Sequence, residues 1–230
     1  MYKVAGIVFE AGECGSAFCA RAGKYLVPCG EPEFTLTITD AEAAACSAPV
    51  SADSARYMLS GTKFYIELIE RGGMMLHSSA VALNGRAYLF SGPSGVGKST
   101  HTRHWLSLYP EAYILNDDKP ALRLEGGGVT AYGTPWSGKH DISRNEGLPV
   151  GGIAFIERAS ENRIELMSPR EAAAALISQT VRHIRRDRME TLLETVVQVV
   201  GLVPVWRLGC IDDKSAAELS SRAMMNKVFQ

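Results

Sequence analysis

The stretch "LFSGPSGVGKSTHTRHW", residues 89–105, decides how this chain is read. An apolar run meets Gly92-Pro93-Ser94-Gly95-Val96-Gly97-Lys98-Ser99, which fits G-x-x-x-x-G-K-[ST] at every specified position. The glycines let the backbone wrap an anion with successive N–H groups pointing inward. The helix expected over Ser99–Tyr109 adds its positive end. Lys98 suits the β/γ oxygens of a nucleotide, and the Ser99 hydroxyl suits Mg²⁺. A strand before the loop and a helix after it is the context that separates this motif from a chance glycine-rich turn. The expected nucleotide-binding set is therefore Gly92, Ser94, Gly95, Val96, Gly97, Lys98, Ser99 and Thr100. Its expected ligand is ATP, or another nucleoside triphosphate, with Mg²⁺.

Upstream, "MLHSSAVAL" and "RAYLFSG" flank Asn84-Gly85, and Asn-Gly between two apolar runs predicts a β-hairpin. Downstream, "YILNDDKPAL" (113–122) ends a short predicted strand on two acids, Asp117 and Asp118. One carboxylate at a strand end beside such a loop suffices to place Mg²⁺. A second could take a proton from an attacking hydroxyl. Neighbours on a strand point to opposite faces, so both reach one site only where the strand breaks. Lys119-Pro120 supplies a break. On spacing alone, two working acids and one metal ligand with a solvated neighbour both stay open.

Elsewhere the signals are coarser. Residues 1–50 read as short strands ("YKVAGIVFE", "FTLTIT") punctuated by glycine and proline, and 41–60 as a loop or weak helix. "GTKFYIELIERGG" has apolar residues at helical spacing and a Gly pair to end it. Strands are predicted at "ALRLE", "VTAYGTP", "GGIAFIERA" and "VPVWRLGC". Ser168-Pro169 with Glu171 opens a helix as a capping box, a second helix covers 187–202, and a last one starts near Asp213. The division expected is a small β-rich segment over 1–60 packed on a catalytic domain over 61–230.

Composition sets the class. With 46% hydrophobic and 21% charged residues and a net charge of −1, the chain reads as one ordinary globular core. Balanced charge gives no argument for nucleic-acid or membrane partners. No apolar run approaches the ~20 residues of a spanning helix, and the N-terminus lacks a signal-peptide pattern, so the cytoplasm is the expected location. Five cysteines in no C-x-x-C pair suggest reduced thiols rather than a disulfide framework or a zinc site.

Two basic segments need a reading. The loop "TPWSGKHDISRN" (134–145) groups Lys139, His140 and Arg144, cations suited to charge developing on a transferring phosphoryl group. Trp136 in it could stack on a base or anchor the loop. The competing reading is a surface loop with incidental charge. "VRHIRRDR" (181–188) sets Arg182, His183, Arg185, Arg186 and Arg188 near one helix end, where a solvated terminus complementing the helix dipole is favoured over a docking surface.

Taken together, "SGPSGVGKST" and "NDD" one helix later resemble the C-terminal catalytic domain of HPr kinase/phosphorylase. They also resemble the wider group with the phosphoenolpyruvate carboxykinase type of P-loop fold. His77 before the loop, "YGTPWSGKHD" and "LPVGGIAFIERA" extend the likeness over about residues 74–158, with a weaker echo near the C-terminus. The resemblance implies an α/β fold with a mixed β-sheet, a small N-terminal β-rich segment and C-terminal helices. It implies Lys98 and Ser99 as phosphate and metal residues, and Asp117 and Asp118 as general base and metal ligand, Asp117 the favoured base. It places His77 near the transferring phosphate or its acceptor. The chain departs from that family in lacking its signature segment after the aspartates and its separate N-terminal domain, so the acceptor need not be HPr. Smaller kinases of this type, some of which phosphorylate a serine of a ribosomally made peptide, resemble this chain better.

The function these pieces imply is transfer of the γ-phosphate of ATP to a Ser or Thr hydroxyl of a protein or peptide. Catalytic candidates are Asp117, Asp118, His77, Lys98, Lys139 and Arg144, with Ser99 and Asp118 on the metal. A non-catalytic ATP-binding regulator or scaffold, and a kinase of a small-molecule hydroxyl, are the alternatives. A dicarboxylate carboxykinase would need more chain. A homo-oligomer is left open.

Overall fold

The computed structural model describes residues 1–181 and 185–226. A hairpin of β1 (Tyr2–Val4) and β2 (Ile7–Ala11) turns at Ala5-Gly6, both at positive φ, and β3 (Phe34–Leu36) adds to β2 in parallel. Between β2 and β3 lies the short helix α1 (Ser16–Ala22). After α2 (Asp40–Ala44) comes α3 (Ala52–Glu70), capped by the Ser51 hydroxyl, which accepts from Ser54 N. The expected boundary between residues 60 and 61 therefore falls inside one continuous helix. Its first two turns are Ala- and Ser-rich and lack the apolar spacing that would have marked them as helical.

The main sheet is mixed. Its order is β4 (Gly73–Met75), β8 (Ala121–Glu125), β9 (Gly128–Tyr132), β10 (Gly147–Arg158), β6 (Arg86–Ser91), β5 (Ser78–Leu83), β7 (Tyr113–Asn116). The long strand β10 joins two halves. Its start pairs antiparallel with β9; from Val150 it pairs in parallel with β6, across a register shift between Val150 and Gly152, and from Ile153 also in parallel with β12 (Val205–Cys210). β12 also carries β11 (Arg163–Leu166), a short strand whose exposed polar alternation gave little signal in the sequence. β5 and β6 form the expected hairpin, with Asn84 and Gly85 both at positive φ as a tight primed turn requires.

β6 shows why this sheet needs cover on both faces. Ala87 and Leu89 enter one core cluster and Tyr88 and Phe90 another, the period-2 alternation of a doubly buried strand. On the first face pack α5 (Pro169–Ser178) and α6 (Arg186–Leu202), through Ala172, Leu176, Leu192, Val196 and Val199. Ser168 and Glu171 make the reciprocal capping box. On the second face pack α4 (Lys98–Leu108) and α7 (Lys214–Asn226). The mixed α/β class, the N-terminal strands and the C-terminal helices are thus as expected. No helix among the described residues is long and apolar enough to cross a membrane.

α7 anchors α4 through one hydroxyl. Ser220 Oγ accepts from Trp105 Nε1 at 2.9 Å and is hydrogen-bonded to His101 Nε2 at 3.0 Å, all three residues being buried. Burial pushes the His101 imidazole down to about 4, aided by neighbouring His104, so the ring packs as a neutral group. Ser220→Ala leaves two buried ring nitrogens without this partner and should cost ~1–3 kcal/mol of unfolding free energy, measured by urea denaturation. An unchanged midpoint would show that the hydroxyl does not hold the two helices.

Basic residues 185–188 sit differently from expectation. α5 stops at Ser178, so Arg186 and Arg188 lie in the first turn of α6, the wrong end for a cation to meet a helix dipole. Ion pairs Arg186–Glu190 and Arg185–Asp187 (both 2.9 Å) and Arg188–Glu70 hold their charge instead. Arg182 and His183 lie outside the described residues.

Candidate active site between the glycine loop and the aspartate pair

β6 delivers the chain into the loop at Gly92, and α4 begins at Lys98 with Gly97 as its N-cap. Gly92, Gly95 and Gly97 all have positive φ (141°, 76° and 114°). A Cβ on Gly95 or Gly97 would meet nothing within 4 Å, so the loop is an open concavity rather than a packed turn. Lys98, 9% exposed, curls back so that Nζ donates to Gly92 O at 2.8 Å and Pro93 O at 3.1 Å. Burial lowers its pKa, partly offset by the charge of Asp118. Among the described residues its hydrogen bonds go to two neutral carbonyls, which leaves the ammonium suited to an anion.

The second wall is the turn after β7. Asn116, fully buried, accepts from Lys119 N at 2.7 Å and Asp118 N at 3.0 Å through Oδ1, and donates Nδ2 to Thr134 O at 3.0 Å. This Asx-type turn bends the chain as soon as the strand ends. Both acids then face one cleft instead of alternating. The break expected from Lys119-Pro120 begins three residues earlier, at Asn116.

That cleft, about 360 Å³, is lined by His77, Ser94, Gly95, Gly97, Lys98, Ser99, Thr100, Asp117, Asp118 and Lys139. Candidates drawn from four separate segments thus share one space. His77 sits between β4 and β5, with Nε2 3.3 Å from Asp118 Oδ1 and Nδ1 3.2 Å from Gln179 Oε1. Its backbone N–H also donates to Gln179 O at 2.8 Å, so the ring is fixed from both sides.

The two carboxyls are driven apart. Burial raises the pKa of Asp117, and the charge of Asp118 adds to this against a 2.6 Å hydrogen bond from Gly138 N to Oδ1. Asp118 goes the other way: burial would raise it, but the His77 hydrogen bond with the charges of Lys119 and Lys98 brings it below the ordinary value. Adjacent acids with opposite shifts are the pattern by which a site separates a proton acceptor from a permanent anion.

The basic loop divides. Gly138 N–H and Lys139 reach the cleft, while Arg144 does not. Arg144 lies on the returning leg, with its guanidinium 3.8 Å over the Tyr113 ring at the start of β7, three residues upstream of the Asx turn. His140 is exposed and acts on Asp117 only through its charge. Trp136 anchors: it is 2% exposed, stacked on Phe64 at 4.7 Å and donating Nε1 to Ser60 Oγ at 3.1 Å. Gly61 on α3 makes this fit possible, since a Cβ there would lie 2.8 Å from the indole. Trp136→Ala should cost ~3–5 kcal/mol by chemical denaturation; a loss under about 1 kcal/mol would remove the indole as the loop's anchor.

The N-terminal segment holds the same loop. Arg21 Nη1 donates to Ser137 O at 2.8 Å and Tyr57 OH at 2.7 Å, and Lys24 Nζ donates to Ser143 O at 2.8 Å. Asn116, Gln179, Gly138 and Arg21 were not among the residues read from the sequence. Only Asn116 carried a usable signal, as Asn directly before a strand break.

The residues fit a magnesium nucleotide. The loop is an open cradle, Lys98 is a cation hydrogen-bonded to two neutral carbonyls, and Ser99 with Asp118 supplies hard oxygens across the cleft. Mg²⁺ is ordinarily held by one or two carboxylates together with substrate phosphates.

No curated protein matches the chain. Among solved structures, the Hpr(Ser) kinase/phosphatase from Coxiella burnetii matches at 11% identity and a TM-score of 0.38, covering 65% of this chain and 95% of that one. The family model described as "SynChlorMet cassette protein ScmC" matches residues 54–211, well over half of the 230, a span that takes in the glycine loop, the aspartate pair and the basic loop; the chain belongs to that family.

Proposed function

We propose that this chain transfers the γ-phosphoryl group of ATP to a Ser or Thr hydroxyl of a protein or peptide. The observation that carries this reading is the gathering of Lys98, Ser99, Asp117, Asp118, His77 and Lys139 around one cleft. A nucleotide-binding switch needs the loop and one acid. A second, half-buried acid of raised pKa is surplus to binding and suited to taking a proton.

In this reading the loop N–H groups and the start of α4 hold the phosphates. Lys98 exchanges its two carbonyl partners for phosphate oxygens. Ser99 and Asp118 would hold Mg²⁺, which would supply positive charge against the phosphates. Asp117 accepts the proton of the acceptor hydroxyl as its oxygen bonds to the γ-phosphorus and the bond to the β-phosphate oxygen breaks, releasing ADP. Lys139 supplies positive charge from the loop, and His77 keeps Asp118 ionised.

Purified protein with Mg-ATP and a pool of Ser/Thr peptides should add the mass of one phosphate to a subset of peptides. If Mg-ATP binds but no peptide or small alcohol gains phosphate, the regulatory reading replaces this one.

A further inference from the structure

One peptide unit in the basic loop faces two ways. Its carbonyl, on Ser137, accepts from Arg21 Nη1 at 2.8 Å, and its N–H, on Gly138, donates to Asp117 Oδ1 at 2.6 Å. The carbonyl and N–H of a trans peptide point in opposite directions, so guanidinium and carboxylate meet through one rigid plane. Hydrogen bonds joined in series polarise one another, and a cation on the carbonyl makes the N–H a stronger donor. Gly138 lets the plane come this close, since a Cβ there would lie 3.0 Å from Asp117 Oδ2.

The loop closes on the same acid from its far end. Asp117 N donates to Ile142 O at 3.2 Å, so residues 138–142 arch over Asp117 with a hydrogen bond at each end. Within the arch, Ser137 Oγ donates to Asp141 Oδ1 at 2.8 Å and Asp141 N to Gly138 O at 3.2 Å. Asp141 has a φ of 50°, a conformation uncommon outside glycine that its surroundings have to hold. Arg21 supplies part of that hold, with Nε 3.8 Å from Asp141 Oδ1.

Arg21 is itself firmly placed. It sits in the last turn of α1, whose first residue is tied to α3: Asp53 accepts from Ser16 N at 2.7 Å and from Ser16 Oγ at 2.8 Å. Phe18 of the same helix packs on the Trp136 indole, 5.7 Å between ring centres. The guanidinium lies 4.9 Å over the Tyr57 ring, and Arg21 does not line the cleft. Its route to the chemistry is therefore the loop. We propose that Arg21 is a positioning residue for the proton acceptor, an inference that rests on reading Asp117 in that role. Through the Ser137–Gly138 peptide it fixes Asp117 Oδ1, and Oδ2 takes the proton of the acceptor hydroxyl. A positioning group carried on a rigid helix holds such geometry better than the loop could alone.

The test is a double-mutant cycle on single-turnover transfer from Mg-ATP to the Ser/Thr peptide that takes up most phosphate from the pool. Arg21→Ala should lower the transfer rate ~10–100-fold, the scale of a misplaced reacting group. The half-saturating concentrations of Mg-ATP and peptide should stay within about two-fold, because the binding residues are untouched. Arg21→Lys keeps a cation for Ser137 O and should recover part of the loss. It carries the cycle if a thermal melt shows Arg21→Ala to be unfolded. In an Asp117→Asn background, Arg21→Ala should change the rate by less than about two-fold, because the acceptor it positions is gone. A purely structural role predicts the same fractional loss in both backgrounds. That result, or an Arg21→Ala rate equal to the wild type, would overturn the positioning role and leave Asp117 as the base. Transfer at the wild-type rate by Asp117→Asn, or none to any peptide by the wild type, would overturn the base reading and this inference with it.

Discussion

Asp117→Asn is expected to reduce phosphoryl transfer by ~10²–10⁴-fold, the usual contribution of a positioned general base. Nucleotide affinity should change by less than about three-fold, because the phosphates and the metal are assigned to other residues. The separation follows from the two carboxyls. Asp118 is kept ionised by His77, Lys119 and Lys98, whereas burial and the charge of Asp118 raise Asp117 towards the range where it can accept a proton. The amide keeps an oxygen for the 2.6 Å hydrogen bond from Gly138 N, so the loop should stay in place and the melting temperature should not fall. Single-turnover transfer and calorimetric Mg-ATP binding measure the two effects. Equal losses of binding and transfer would move Asp117 into the metal or nucleotide site instead.

Lys98→Ala is expected to weaken Mg-ATP binding by ~10–100-fold, since hydrogen bonds to charged groups are worth ~1.5–3 kcal/mol each. Transfer should fall further, by ~10²–10³-fold, because charge on the phosphates grows in the transition state. Stability should move little or rise. Burial already disfavours the Lys98 ammonium, and its two carbonyl partners are a poor exchange for water. Calorimetry and a thermal melt on the same sample check both statements. A variant that binds Mg-ATP as the wild type does would remove Lys98 from the phosphate site.

What could be read from residues alone was local. The glycine loop, the Asn84-Gly85 hairpin and the Ser168/Glu171 capping box each depend on a few neighbouring positions, and each formed as expected. Of the residues that line the candidate cleft, the glycine loop and the two acids were legible, both carried by contiguous motifs. Its supports were not. Gly138 N–H, Gln179 and Arg21 act through backbone atoms or through contacts spanning 21, 102 and 116 residues, and no spacing rule reports those. Arg144 failed for the same reason, since membership of a basic loop does not say which leg faces the cleft. Trp136 was left between base stacking and anchoring, and only the aromatic layer of Phe64, Tyr65 and Phe18 around it decides for the core. The start of α3 stayed open between loop and weak helix because an N-cap serine followed by Ala and Ser lacks hydrophobic period.

The most direct measurement is a crystal structure of the chain with Mg²⁺ and a non-hydrolysable ATP analogue. The triphosphate should lie in loop 92–99 with Lys98 Nζ released from Gly92 O and Pro93 O onto phosphate oxygens. The metal should be bound through Ser99 and Asp118, with Asp117 unliganded and facing the γ-phosphate. A triphosphate bound away from that loop, or a metal that takes Asp117 and leaves no acid for the acceptor hydroxyl, would contradict phosphoryl transfer at this cleft.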